Sequence, residues 1–351
     1  MASEKLVNVG GVAIGGGAPV SVQSMTTTDT SDADATLLQI NRLVRLGAEL
    51  VRVSVPDDPA VAALEKIVEC SPVPVVADIH FRADLALKSL NAGVQKLRLN
   101  PGNIRKLEEL EAIADLASSR GVPIRIGVNS GSVPGELREK YGGVNADSMW
   151  TAAERHFTIL ESMGFHDIVL SLKASDPMLT VEVNRMASRN CPYPLHLGVT
   201  EAGPPGIAGV RSAVAMGILL NEGIGDTLRV SMSGSPEPEP GTGWEILSSL
   251  GLRKRFVRIV SCPTCARARL DVAALAKRVQ EMVEGMENPV TVAVMGCEVN
   301  GPGEARDADL AVIGTPAGLI FWKNGKSIGE INGDDLEKAL MDEIESLERR
   351  I

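Results

Sequence analysis

From about residue 19 to about residue 250, short apolar runs alternate with longer stretches in which apolar residues return every three or four positions. The short runs predict strands at 19–25 (PVSVQSM), 49–55 (ELVRVSV), 74–80 (PVVADIH), 94–100 (VQKLRLN), 123–129 (PIRIGVN), 167–173 (DIVLSLK), 194–200 (PLHLGVT) and 226–232 (DTLRVSM). Amphipathic helical stretches such as DADATLLQINRLVRLG and AVAALEKIVE fill the gaps. Strand–helix alternation implies a parallel sheet. Eight units in this length predict a closed (β/α)8 TIM barrel, with an open doubly wound sheet as the alternative. A dinucleotide-binding turn is missing, because Gly15, Gly16 and Gly17 precede the first strand instead of following it.

The stretch 234–243, GSPEPEPGTG, reads as a loop, and WEILSSLGL as the helix that ends the barrel. A second pattern starts at Arg255: FVRIVSCP and TVAVMGC read as strands ending in cysteine, with a helix, LDVAALAKRVQEMVEG, between them. Short strands DLAVIGT and LIFWKNG follow, then a last helix, DDLEKALMDEIESLERR. The expected division is a barrel over 1–253 and a smaller α/β domain over 254–351.

Alternate strand residues point into a barrel. Here polar residues occupy one parity: Arg52 and Ser54, Asp78 and His80, Arg98 and Asn100, Arg125 and Asn129, Ser171 and Lys173, His196 and Thr200 (then Glu201), and Arg229, Ser231 and Ser233. A single inward arginine is as readily half of a structural ion pair, and a lone inward histidine as readily a hydrogen-bonded core residue. Together, Arg52, Arg98, Arg125, Lys173 and Arg229 outnumber the inward carboxylates. Their excess points to an anionic ligand near the strand C-termini, a phosphate or diphosphate ester that guanidinium forks would hold in fixed orientation.

Composition narrows the class. Aromatic residues make up 3% of the chain, so aliphatic side chains fill the core. The net charge of -10 argues against nucleic acid or an anionic membrane as the main partner. The chain shows no long apolar run and no apolar leader, and a cytoplasmic protein is expected.

Five cysteines, an odd count, argue against a disulfide framework. Cys70 and Cys191 each end a helix and read as small buried residues. Cys262, Cys265 and Cys297 lie in two loops after predicted strands, a spacing open to zinc or to an iron–sulfur cluster. No histidine follows His196, and Glu304 is the candidate fourth ligand, brought back toward Cys297 by a tight turn at Gly301-Pro302-Gly303.

Ordered along nearly the whole chain stand PVSVQSMTTTDT, ADIHF, LRLNPGN, IRIGVNSGS, SLKASD, PLHLGVTEAG, GIGDTLRVS, SCPTC and MGCEVNGPGEA. In these motifs the chain resembles the 4-hydroxy-3-methylbut-2-enyl diphosphate synthases. Ala266 departs from the glycine common in the family. The resemblance implies a two-electron reduction of 2-C-methyl-D-erythritol 2,4-cyclodiphosphate. It implies a [4Fe–4S] cluster on Cys262, Cys265, Cys297 and Glu304. It places Arg52, Arg98, Asn100, Arg125, Asn129, Lys173 and Ser231 on the diphosphate. Asp78, His80, Thr200, Glu201 and Asn300 would line the reacting end, with Glu201 as proton donor. It also implies a flavodoxin or ferredoxin donor, and a homodimer with the active site shared between subunits. A phosphate-binding barrel with a structural zinc domain is the competing expectation.

Overall fold

The computed structural model describes residues 3–348 except 105 and 334. Two compact units divide at Arg253 and Lys254. In the first, eight parallel strands line up: β3 (Ser21–Met25), β4 (Leu50–Ser54), β5 (Val75–Asp78), β6 (Lys96–Leu99), β7 (Ile124–Asn129), β8 (Ile168–Lys173), β9 (His196–Leu197) and β10 (Thr227–Leu228). Their order is β8-β7-β6-β5-β4-β3-β10-β9, and a parallel bridge between Leu170 and Leu195 closes the ring. The aliphatic strand residues facing outward, among them Val51, Val53, Leu97, Leu99, Ile124 and Ile126, are buried against the helices.

Those helices are α1 (Ala33–Arg45), α2 (Asp58–Cys70), α3 (Ala83–Asn91), α4 (Leu107–Arg120), α5 (Gly135–Tyr141), α6 (Ala146–Ser162), α7 (Pro177–Asn190), α8 (Pro205–Asn221) and α9 (Pro238–Ser249). Asp32, Asp57, Asn145 and Asp176 cap four of them, each side chain accepting a backbone N–H of the first turn. Helix α5 is an addition to the expected one-helix connection.

An antiparallel hairpin absent from the sequence expectation, β1 (Leu6–Val9) and β2 (Val12–Gly15), precedes the barrel. Its Val7, Val9 and Ile14 pack with Leu50 and Val169 at the strand N-termini, so apolar residues plug that end.

Two expectations need correction. The expected seventh and eighth strands shrink to two paired residues each. Past them, single bonds replace the ladder, from Arg229 N–H to Leu197 C=O (3.0 Å) and from Thr200 N–H to Ala174 C=O (3.2 Å). The Pro/Gly stretch is largely helix, because α9 starts at Pro238. Its prolines sit in the first turn, where their missing N–H groups have no intrahelical acceptor to lose. Its Gly243 lets the helix lie close on β3 and β10, since a Cβ there would stand 2.9 Å from Leu228 Cδ1 and 3.2 Å from Val22 Cγ1.

Cys70 is exposed, not buried. The buried stripe of α2 runs Ala60, Leu64, Ile67, which turns residue 70 toward solvent. Cys191 is half-buried, and burial pushes its thiol up to about 11.

In the second unit, β11 (Arg258–Ser261), β12 (Thr291–Met295) and β13 (Leu310–Thr315) are parallel neighbours, and β14 (Gly318–Lys323) and β15 (Lys326–Ile331) continue the sheet antiparallel. On one face lie α10 (Val272–Met282) and α12 (Leu336–Glu348), which bury Leu275, Val279, Leu340 and Ile344 against Val292, Val294 and Val312. The other face holds α11 (Gly301–Glu304) and a cluster of Ala293, Met295, Ala305 and Ile313. Strand β15 was not expected: its exposed, lysine- and glycine-bearing sequence carries no buried face to signal it. Positions 334, 349 and 350 of the expected last helix lie outside the described residues.

Barrel closure predicts one sharp sensitivity. Gly225 has φ +114°, and a Cβ there would stand 2.3 Å from Leu197 Cδ1. Gly225→Ala is expected to destabilise the protein by at least about 2 kcal/mol in urea unfolding, through strain and overpacking together.

Candidate functional site: a cation-lined barrel and three cysteines at strand ends

The inward positions of the barrel converge on a charge imbalance. Register sets Asp78, Arg98 and Arg125 level on β5, β6 and β7, and sets Arg52, Val76 and Lys96 level one pair below. Asp78 is the internal counter-charge. Arg98 Nη1 lies 3.2 Å from Oδ1, and Arg52 Nε 3.7 Å and His80 Nε2 3.5 Å from Oδ2. Burial alone would raise the Asp78 pKa. The Arg52 guanidinium, the His80 bond and Arg98 outweigh it and hold the carboxyl below the usual carboxylate range.

Arg229 is not one of the unpaired cations. Glu239, buried in the first turn of α9, accepts from its Nε and Nη2 at 3.0 Å each, and also from Ser24 and the Met232 N–H. Sequence reasoning missed this carboxylate because it lay in the stretch assigned to loop. Lys96 was missed too, although it shares the parity of Arg98 and Asn100, and that spacing could have found it. With both included, six cations (Arg52, Lys96, Arg98, Arg125, Lys173, Arg229) share two carboxylates among the described residues.

The remaining bonds show how poorly the excess is satisfied. Arg52 donates from Nε (3.0 Å) and Nη2 (2.7 Å) to the Met25 thioether, a weak acceptor, which Arg229 Nη1 also approaches at 3.4 Å. Arg125, 1% exposed, has one bond, to Gln23 Oε1 at 3.5 Å, and its Nε has no partner. Burial, with Arg52 and Arg98 nearby, lowers its pKa well below the ordinary value. Burial and then Arg125 do the same to Lys173. Two glycines make room for these long chains. A Cβ at Gly127 would stand 3.0 Å from Arg98 Nε, and one at Gly198 would stand 2.7 Å from Lys173 Nζ.

Around this centre the other expected residues sit at or beyond the strand C-termini. Asn100 is buried, and its Oδ1 accepts the Gly102 N–H (3.1 Å). Asn129 ends β7, its backbone N–H and C=O both bound to Ser132 Oγ. Thr200 and Ser231 are half-buried past the short strands β9 and β10. His80 lies beyond β5, half-exposed, with Asn103 Nδ2 bonded to its carbonyl at 3.0 Å. Glu201 is exposed with φ 53°, a left-handed backbone uncommon for a side-chain-bearing residue. Strain of this kind gathers at functional sites.

In the second unit, Cys262 and Cys265 follow β11 and Cys297 follows β12, adjacent parallel strands. The two loops interlock: Cys262 N–H donates to Val294 C=O (3.3 Å), the Gly296 N–H donates to Cys262 Sγ (3.1 Å), and Arg269 N–H donates to Gly296 C=O (2.7 Å). The expected tight turn at 301–303 is a helical turn, α11, whose Gly301 N–H binds Cys297 C=O and whose Glu304 N–H binds Asn300 C=O, both at 3.1 Å. Asn300 and Glu304 are exposed. Three thiols in the loops after two adjacent parallel strands fit an iron–sulfur group in donor type. Among the described residues, no three His, Cys, Asp or Glu side chains already stand together as a metal site.

A parallel barrel with an excess of inward cations, followed in the chain by a cysteine-bearing α/β unit, is the architecture of a two-domain TIM-barrel enzyme. The chain belongs to the GcpE family: the GcpE TIM-barrel domain matches residues 4–244 and the GcpE protein C-terminal domain matches residues 258–346. It is similar to a 4-hydroxy-3-methylbut-2-en-1-yl diphosphate synthase (flavodoxin) of Geobacter sulfurreducens, at 48% identity over 99% of this chain and 98% of the relative. The protein of that name from Thermodesulfovibrio yellowstonii is 47% identical over 96% of this chain and 97% of its own length.

Among solved structures, dihydropteroate synthase of Yersinia pestis (TM-score 0.51, 14% identity, 71% of this chain and 98% of that one) shares the fold. So does 3-dehydroquinate dehydratase of Geobacillus kaustophilus (TM-score 0.51, 13% identity, 72% and 98%). At such identity the likeness concerns the fold alone. No helix among the described residues is long and apolar enough to cross a membrane.

Asp78 generates a pH-dependent prediction. Its lowered pKa stabilises the fold above the unfolded value of about 3.9, and that stabilisation is lost as the pH falls toward the folded value. Asp78→Asn leaves buried guanidinium groups uncompensated and is expected to cost about 3–5 kcal/mol at pH 7. The difference from wild type should shrink below about pH 4 in urea titrations, as the wild-type carboxyl becomes protonated in the unfolded state while the folded one stays ionised.

Proposed function

We propose that this chain reduces 2-C-methyl-D-erythritol 2,4-cyclodiphosphate to (E)-4-hydroxy-3-methylbut-2-enyl diphosphate and water, a step in making isoprenoid precursors. The supporting observation is a barrel whose inward cations outnumber their carboxylates six to two among the described residues, in a chain 48% identical to a protein named for that product. Two electrons and two protons enter. One C–O bond of the cyclic diphosphate breaks, a hydroxyl leaves as water, and a C=C bond forms.

In this reading Arg52, Arg98, Arg125 and Lys173 neutralise the diphosphate, with Asn100, Asn129 and Ser231 as further donors. Asn100 has its Oδ1 engaged by Gly102, which leaves its Nδ2 for the ligand. Asp78 bonds Arg98 and stands beside Arg52 as their counter-charge. Binding energy spent on the non-reacting diphosphate holds the carbon skeleton in place for the bond-breaking end. His80 and Thr200 line that end, and Glu201 donates a proton to the departing hydroxyl.

Cys262, Cys265, Cys297 and Glu304 would hold a [4Fe–4S] cluster, which supplies single electrons and a Lewis-acidic iron. A carboxylate is the most readily displaced of those four ligands. Flavodoxin, printed in the relatives' names, is the proposed electron donor, with ferredoxin as the other small carrier of the same role. A homodimer whose site is completed by a second copy and a cytoplasmic location belong to the same reading.

Anaerobic purification tests it. The wild-type protein should be brown, with a broad band near roughly 400 nm and about four iron and four sulfide per chain, and Cys297→Ala should lose them. A colourless protein with one zinc per chain would favour the structural-zinc alternative. With a chemical reductant, the holoenzyme should turn over the cyclodiphosphate, and Lys173→Met should lower kcat/KM about 100-fold or more through loss of one charge-assisted contact.

A further inference from the structure

At and below the level of Arg52 lies a sealed layer of polar side chains. Lys96 of β6 stands level with Arg52 of β4 across Val76 and one pair below Arg125. His196 of β9 is level with Thr227, which is level with Ser21. Lys96 Nζ, Arg125 Nε, Gln23 Nε2 and both ring nitrogens of His196 are buried without a hydrogen-bond partner among the described residues. Lys96 and His196 are fully inaccessible to solvent. None of these side chains belongs to the outward, helix-facing parity, so packing does not account for their polarity.

Among the described residues, the groups facing Lys96 supply no counter-charge. From β4 and β7 come Arg52 and Arg125, and from β9 the neutral-favouring His196. Strand β3 offers Gln23 and Met25, which are uncharged. Asp78 on β5 is committed to Arg52, Arg98 and His80, and Arg229 on β10 is held by Glu239. An ammonium sealed among cations is strongly disfavoured. Burial, reinforced by Arg125 and Arg52, accordingly puts the Lys96 pKa well below the ordinary lysine value.

We infer that Lys96 is a further member of the anion site: an uncharged amine in the free protein, it takes a proton from solvent when a diphosphate enters the barrel and becomes the cation beneath it. The inference rests on the diphosphate reading of this barrel. The step forms one N–H bond and changes no other covalent bond. Linkage makes it reciprocal, because the anion favours the ammonium and the ammonium favours the anion by the same factor.

Isothermal titration of the intact protein with inorganic pyrophosphate, near pH 8 in two buffers of different ionisation enthalpy, counts the protons exchanged on binding. Wild type is expected to take up about one proton per site more than Lys96→Met, and the variant to bind about tenfold more weakly. Lys96→Gln, which keeps a polar group in the layer, is measured beside it in case the methionine variant does not fold, and should behave alike. Equal proton counts in wild type and a folded variant overturn the inference while leaving the diphosphate reading intact. No binding by wild type overturns both.

Discussion

Charge neutrality inside a closed barrel is the constraint on which the first unit depends. Asp78 touches two guanidinium groups and an imidazole at the level where β5, β6 and β7 come into register. Glu239 meets Arg229 from outside the strands. Beyond those two carboxylates the interior offers a thioether and one amide oxygen to the remaining cations. Buried charge without partners is costly, and these cations carry unmet hydrogen-bonding demand in side chains placed by the strands that bear them.

The same geometry serves both units. Parallel strands deliver their loops to one end, and inward or end-of-strand residues from different strands meet there. In the barrel the opposite end is plugged by Val7, Val9 and Ile14 of the hairpin, so polar chemistry is confined to the C-terminal side. In the smaller sheet the cysteines follow β11 and β12, and Gly314 of β13 lets that strand pass close to them: a Cβ there would stand 2.7 Å from the Gly296 carbonyl. Glycine acts here by being small, as Gly127 and Gly198 do under Arg98 and Lys173.

Much of the site was legible from two periodicities. Period-two alternation with polar residues on a single parity identified Arg52, Asp78, Arg98, Arg125 and Lys173, because inward and outward faces of a barrel strand have opposite solvation. What escaped was held by non-local packing. Glu239 lies in a stretch whose prolines and glycines suggest loop, and only the fit of Gly243 against Val22 and Leu228 shows why a helix starts there. Lys96 lay in plain sight at the right parity, but that it has no partner among the described residues depends on which side chains arrive from the other strands of the barrel.

Taken alone, the sequence determined the strand–helix alternation, the two-unit order, the side of each strand that carries charge and the inventory of thiols, since these follow from local periodicity and residue chemistry. The tertiary structure decided the register that sets Asp78 level with Arg98 and Arg125, the pairing of Arg229 with Glu239 and the solvation of Cys70. It also decided which donors are left without acceptors. Register and pairing arise from contacts between residues tens to hundreds of positions apart, and no local pattern encodes the balance of charge that results.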